Sequence, residues 1–190
     1  SVKTPAEMTR TDIRQVVAAN FARASQALRT LEEFAKVVDA ALAARIEPIR
    51  YRLYTLERAI ELTATSRATL ADAKLYVLID GRASLAEFQS LVSSLVSAGV
   101  HILQLRDKEL PDRQLAVRAR ELVRLTTGTA TRSIINDRPD IALLANADGV
   151  HVGQVELSVK DARQIIGPNK LIGVSTHSIE QARAAVLDGA

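Results

Sequence analysis

Apolar residues recur in steps of four and three at Val17, Phe21, Ala24, Leu28, Leu31, Ala35, Val38 and Leu42. That spacing lays one apolar stripe along a helix, predicted over about 11–44, a span with no internal Gly or Pro. Thr9 and Asp12 suit a capping pair at its start. Pro48 suits the first turn of a second helix, whose stripe is Ile49, Leu53, Leu56 and Ile60. The pattern predicts a helical hairpin over 1–65. The polar stretch TATSRATLADAK then reads as a linker, assigned to 66–74.

From Leu75 onward the rhythm changes. Short β-branched or Leu-rich runs (LYVLID, HILQLRD, RSIIND, GVHVG and LIGVST) alternate with helical segments. Ser84 with Glu87, Ser158 with Asp161 and Ser178 with Gln181 each fit a capping pair, and Pro111 and Pro139 suit helix starts. Strand–helix alternation with such short connections implies parallel strands and right-handed crossovers. The class is α/β, as an open doubly wound sheet or a (β/α)8 barrel. The first βα turn, DGRAS at 80–84, has no GxGxxG, and polar residues recur at the C-terminal ends of several strands. Barrels gather their sites from such positions. The expected fold is of the TIM (β/α)8-barrel type, with about five βα units over 75–190. Gly99 and Gly149 read as helix ends, and LDGA at 187–190 repeats that signal. A sixth strand is expected there. Five units cannot close an eight-stranded barrel, so the chain is expected to be an N-terminal fragment, truncated after its fifth βα unit.

Composition narrows the function classes. With 47% apolar and 3% aromatic residues among 190, the core must come from Ala, Leu, Val and Ile. The net charge is +3, with no dense basic run or basic–aromatic motif, which argues against nucleic acid. The chain has no Cys, so thiolate metal sites and disulfides are excluded. No apolar run approaches the ~18 residues of a membrane span, and no signal peptide is recognisable. A cytoplasmic protein is expected. Arg14, Arg23, Arg29, Arg45, Arg50, Arg52 and Arg58 read as the solvated face of the hairpin, with a homo-oligomer through that hairpin left open.

The strand ends carry the candidate chemistry. Read as a strand, HILQLRDK puts Gln104, Arg106 and Lys108 on one face, towards the mouth of a barrel. Unpaired buried cations cost several kcal/mol, so these need anions or water. Two readings stay open: a phosphate-bearing substrate, or an ion-pair network with nearby acids. In IINDRPD, Asp137 beside Asn136 either binds a hard cation or caps the next helix. Glu156 follows the next strand, and two carboxylates at adjacent strand ends suit Mg2+. His101 and His151 read as structural, and His177 as equally a substrate contact or part of a helix start.

QLRDK at 104–108, IINDRPDIAL at 134–143, ADGVHVGQ at 147–154 and GVSTHS at 173–178 together resemble the thiamine phosphate synthase family. The resemblance covers roughly 75–190; the helical portion is similar to an extension on some members. It implies a (β/α)8 barrel that joins hydroxymethylpyrimidine diphosphate to thiazole phosphate, releasing pyrophosphate with Mg2+. By motif, Gln104, Arg106, Lys108 and Asn136 would bind the pyrimidine diphosphate, with Arg106 and Lys108 as the catalytic cations. Asp137 and Glu156 would hold Mg2+, and Ser175 would line the site. Two departures stand out. Glu156 replaces the family's usual Asp, and the later thiazole-phosphate segments are not in this sequence. The chain alone is therefore expected to show little activity. The alternatives are a non-catalytic pyrimidine-diphosphate-binding or regulatory module, or a related thiazole tautomerase.

Overall fold

A computed structural model describes residues 12–190, so Thr9 and its proposed capping role lie outside the described residues. The chain divides into two compact units, Ser1–Glu61 and Leu62–Ala190.

In the first unit, α1 spans Ile13–Val38 and α2 begins at Ala40 and runs to Leu70. Asp12 caps α1, its carboxylate accepting the Arg14 N–H. The single helix expected over 11–44 is thus two helices, separated at Asp39. That residue is extended (φ −158°), and its carboxylate accepts the Ala41 N–H. A short acidic side chain that competes for backbone N–H groups breaks the helix there. The apolar periodicity runs straight across the break and does not register it. Pro48 sits inside α2 rather than in a first turn. Helix also continues through 66–70, which the sequence assigned to a linker. Nothing in SRATL forbids helix, since the segment lacks both Gly and Pro.

The two helices are joined by an ion pair, with Arg50 Nε donating to Glu32 Oε2 at 2.7 Å. The Arg50 guanidinium also lies 4.6 Å from the Tyr51 ring centre. Hydrogen bonding to Arg50 outweighs burial and holds the Glu32 carboxyl below the usual range. Of the predicted stripe on α1 only Ala35 is buried; Leu31 is exposed, and Val38 is 82% exposed. Phe34, Leu42, Ile49 and Leu56 are exposed as well.

The second unit alternates strands and helices from β1 (Tyr76–Ile79) through α3 (Leu85–Ser97), β2 (Ile102–Leu105) and α4 (Asp112–Thr126). It continues with β3 (Arg132–Asn136), α5 (Pro139–Ala145), β4 (Gly149–Val152), α6 (Val159–Ile166), β5 (Leu171–Val174) and α7 (Ile179–Asp188). All neighbouring strands are parallel, in the order β1-β2-β3-β4-β5. An order without reversal is the wall of a barrel; a doubly wound sheet has a switch point. The outward row of Leu103, Leu105, Ile135, Val150 and Val152 packs against Phe88, Val92, Leu122 and Ala162. Alternation along each strand sends the other set of side chains to the opposite, concave face.

The capping chemistry follows the sequence. Ser84, Ser158 and Ser178 accept the N–H groups of Glu87, Asp161 and Gln181. Pro139 opens α5, and Pro111 caps α4. Gly99 takes φ +78° past α3, and Gly189 takes φ +105° past α7, both in the left-handed range that glycine favours. Gly149 is different. The helix before it ends at Asn146 (φ 57°), and Gly149 lies in β4. Its glycine requirement comes from β5: a Cβ would lie 2.7 Å from Leu171 Cβ and closer still to the Leu171 carbonyl oxygen. No described helix is long and apolar enough to cross a membrane.

Candidate active site

Parallel register sets the concave face in rows. Leu78 lies beside Gln104, Gln104 beside Ile134, Asn136 beside His151, and His151 beside Gly173. On this face a polar chain climbs the sheet. Tyr76 OH donates to Gln104 Oε1 at 2.7 Å, and Gln104 Nε2 donates to Asn136 Oδ1 at 2.5 Å. Gln104 is only 3% exposed, so these bonds offset its desolvation. Burial pushes the Tyr76 phenol up to about 12, so it stays a neutral donor. Tyr76→Phe removes that donor and leaves Gln104 Oε1 buried. It is expected to destabilise the unit by about 1–2 kcal/mol in urea unfolding.

Arg106 and Lys108 are not inside the sheet. The strand ends at Leu105, and both cations are exposed in the loop that leaves it. The alternation that puts Gln104 on the concave face therefore does not extend to Lys108. Arg106 still continues the sheet ladder through its backbone, donating to Ile79 O at 2.8 Å. Its side chain has no ion-pair partner among the described residues. Lys108 Nζ lies 3.7 Å from Asp137 Oδ2, long for an ion pair between a 57% exposed Lys side chain and a 22% exposed Asp side chain. Asp107 turns the other way. Its Oδ1 accepts the N–H groups of Glu109 and Leu110, each at 2.9 Å, and its Oδ2 accepts that of Gly81 at 2.9 Å. Burial raises the Asp107 carboxyl, but these three bonds, with Arg118 behind them, bring it below its ordinary value.

Asp137 follows β3 with φ 62°, an uncommon conformation for a residue other than glycine. Its backbone N–H donates to His151 O at 2.7 Å. His151 Nε2 is 3.0 Å from Ser175 Oγ, and Gln154 Nε2 donates to Ser175 O at 2.6 Å. Burial lowers the His151 imidazole, partly opposed by the Asp137 carboxylate. Glu156 folds back over Gly153, where an added Cβ would strike its Oε2. Gln104, Asn136, His151 and Ser175 thus converge on one face, with Arg106, Lys108, Asp137 and Glu156 at the strand exits above it. His101 is structural, its Nδ1 accepting the Leu75 N–H at 3.3 Å. The His177 N–H bonds Gln181 Oε1 at the start of α7.

The sequence reads His151 as structural and does not single out Tyr76. The face His151 takes could be found by parity, because in GVHVG the imidazole alternates with two glycines and so shares their face. The period of two is a weak signal in strands of only four residues.

Residues 75–190 match the family described as thiamine monophosphate synthase. The chain belongs to that family. Residues 1–59 match the ThiD2 family. A thiamine-phosphate synthase of Rhodopirellula baltica is 45% identical over 189 residues, 97% of this chain and 50% of its own length. One from Gloeobacter violaceus is 43% identical, covering 98% and 53%. The chain thus spans about half the length of the curated relatives it matches. A solved thiamine phosphate pyrophosphorylase from Pyrococcus furiosus is 34% identical, with a TM-score of 0.55 over 62% of this chain and 57% of that one. The parallel sheet and its helices are accordingly those of a thiamine phosphate synthase-type α/β barrel. The thiamine phosphate synthase motifs coincide with the strand exits gathered on the concave face.

Proposed function

We propose that this chain carries the pyrimidine-diphosphate half of a thiamine phosphate synthase site. The reaction joins hydroxymethylpyrimidine diphosphate to thiazole phosphate and releases pyrophosphate. The observation that carries this reading is that Arg106, exposed and without an ion-pair partner among the described residues, sits two positions from the exposed Lys108 in the loop that leaves β2. A guanidinium grips phosphate oxygens bidentately and a lysine adds a point charge. The Gln104–Asn136 amides then hold the pyrimidine ring from below, and Ser175 lines the same face.

In the reaction the bond from the pyrimidine methylene to the diphosphate oxygen breaks, and the thiazole nitrogen supplies the electron pair for the new C–N bond. No protein nucleophile is needed. The developing charge sits on the leaving diphosphate, where Arg106 and Lys108 stabilise it electrostatically. Asp137 and Glu156 supply two hard oxygen donors. That fits Mg2+, which keeps several waters and binds substrate phosphate rather than a full protein cage. Among the described residues there is no group of three His, Cys, Asp or Glu that could hold a metal without substrate. When bound, Mg2+ neutralises charge on the leaving group. The assignment extends to a cytoplasmic enzyme with the two N-terminal helices, Ile13–Val38 and Ala40–Leu70, as an accessory element. The test is calorimetric titration of the chain with inorganic pyrophosphate. Saturable binding that tightens with Mg2+ is expected, and no binding with Mg2+ present would refute the reading.

A homo-oligomer formed through the hairpin belongs to the same proposal. Its support is the exposed apolar row of Leu31, Phe34, Val38, Leu42, Ile49 and Leu56. Sedimentation equilibrium is expected to show a dimer that Phe34→Glu dissociates. A monomer at all concentrations rules it out.

A further inference from the structure

Gly81 is held by both of its peptide groups. Its N–H donates to Asp107 Oδ2 at 2.9 Å, and its carbonyl oxygen accepts from Arg118 Nε at 2.7 Å. These three residues come from separate parts of the chain: the loop after β1, the loop after β2, and the middle of α4. The clamp is dry. Gly81 and Arg118 are buried, and the Arg118 guanidinium lies 5.8 Å from the Phe88 ring centre. The site is close-packed around Gly81: a Cβ there would displace Leu110 Cδ1 and lie 3.2 Å from Asp107 Oδ2.

Asp107 stands between the two cations proposed to hold the diphosphate. Its carboxylate accepts three backbone N–H groups, two from its own loop and one from Gly81. Anchoring the middle residue of Arg106–Asp107–Lys108 inward fixes the backbone directions of its neighbours. Both neighbouring side chains are exposed. A flexible loop would have to be ordered each time an anion bound, and that ordering would weaken binding.

We propose that Asp107 and Arg118 are positioning residues, which lock the loop after β2 onto Gly81 so that Arg106 and Lys108 are preorganised for a diphosphate. Neither is a ligand contact. Asp107 acts directly on the loop, and Arg118 acts through the Gly81 carbonyl. The inference rests on the diphosphate reading above.

The test uses the full 190-residue chain, inorganic pyrophosphate and Mg2+, with folding of each variant checked by circular dichroism. Asp107→Asn keeps the shape but turns an amide, or a weaker acceptor, towards the Gly81 N–H. Arg118→Met keeps the apolar stem and loses the donor. Each is expected to weaken pyrophosphate binding about tenfold by displacing groups it does not replace. Arg118→Lys, which can still donate to Gly81 O, recovers most of the loss. In an Arg106→Ala background, at low ionic strength, the effect of Asp107→Asn shrinks to no more than about threefold, because part of its route is gone. A purely structural role would weaken both backgrounds alike, and that result overturns the proposal. So does unchanged affinity in both single variants. If Asp107→Asn fails to fold, the Arg118→Met and Arg118→Lys pair decides. Failure of the unaltered chain to bind pyrophosphate strikes at the diphosphate reading itself.

Discussion

Arg106→Ala is expected to weaken pyrophosphate binding by between about tenfold and about a hundredfold, the range of one or two charge-assisted hydrogen bonds. The chain's stability should barely change. The Arg106 side chain is exposed and has no ion-pair partner among the described residues, so its removal leaves no buried group unsatisfied. The backbone bond from Arg106 N to Ile79 O survives any substitution except proline. Arg106→Lys keeps the charge and loses the planar fork, so an intermediate loss is expected. Calorimetry at two salt concentrations checks the mechanism. The affinity of the unaltered chain should fall with salt, and that of Arg106→Ala should fall less. Wild-type affinity in Arg106→Ala would remove this residue from the site.

Gly149→Ala carries the largest expected cost to folding, roughly 2–3 kcal/mol, with Gly149→Val at about 4 kcal/mol or more. The backbone of Gly149 lies in β4 and would accept any residue. The obstacle is across the sheet, where Gly149 pairs with Leu171. A Cβ would meet both the side chain and the carbonyl oxygen of Leu171, and a backbone atom cannot swing aside as a flexible side chain can. Relief requires parting β4 from β5. Gly99→Ala is the internal comparison. Nothing lies within 4 Å of its Cβ position, and only its φ of +78° opposes a side chain. It should cost about 1 kcal/mol. Urea unfolding of the two variants separates these causes. Equal losses would mean that the approach of β5 does not set the requirement at Gly149.

Both expected effects depend on features of different legibility. The motif that holds Arg106 is visible in the chain, since QLRDK places a buried-type strand directly against a charged exit. The direction of those charges is not visible. Alternation extended to Lys108 puts three side chains on one strand face, but the strand stops at Leu105, and Arg106 and Lys108 are exposed in the loop that follows. Asp107 accepts three backbone N–H groups at that turn, and its partners include Gly81, 26 residues away. Gly149 shows the same division. A glycine before Val-His is plain in the sequence and looks like a helix end. Its actual reason is a neighbour brought alongside by strand pairing, while Asn146 performs the helix exit.

The hairpin marks the opposite limit. Apolar periodicity detects the helices and misses the break, because a local event at Asp39 leaves the pattern of Val38 and Leu42 in phase. Periodicity also does not report which side is covered, and most of the stripe on α1 lies outside the small buried seam.

Local signals by themselves determined the α/β class, the five βα units, three serine caps and the ordered family motifs. Each is written within a few consecutive residues, where backbone propensity, side-chain alternation and capping act. Tertiary structure alone decided that Tyr76, Gln104 and Asn136 form one hydrogen-bonded chain, that His151 faces Ser175, and that Gly81 anchors the charged loop. Those contacts join residues 24 to 32 positions apart. They exist only after parallel pairing sets the register, and register is a property of the packed sheet.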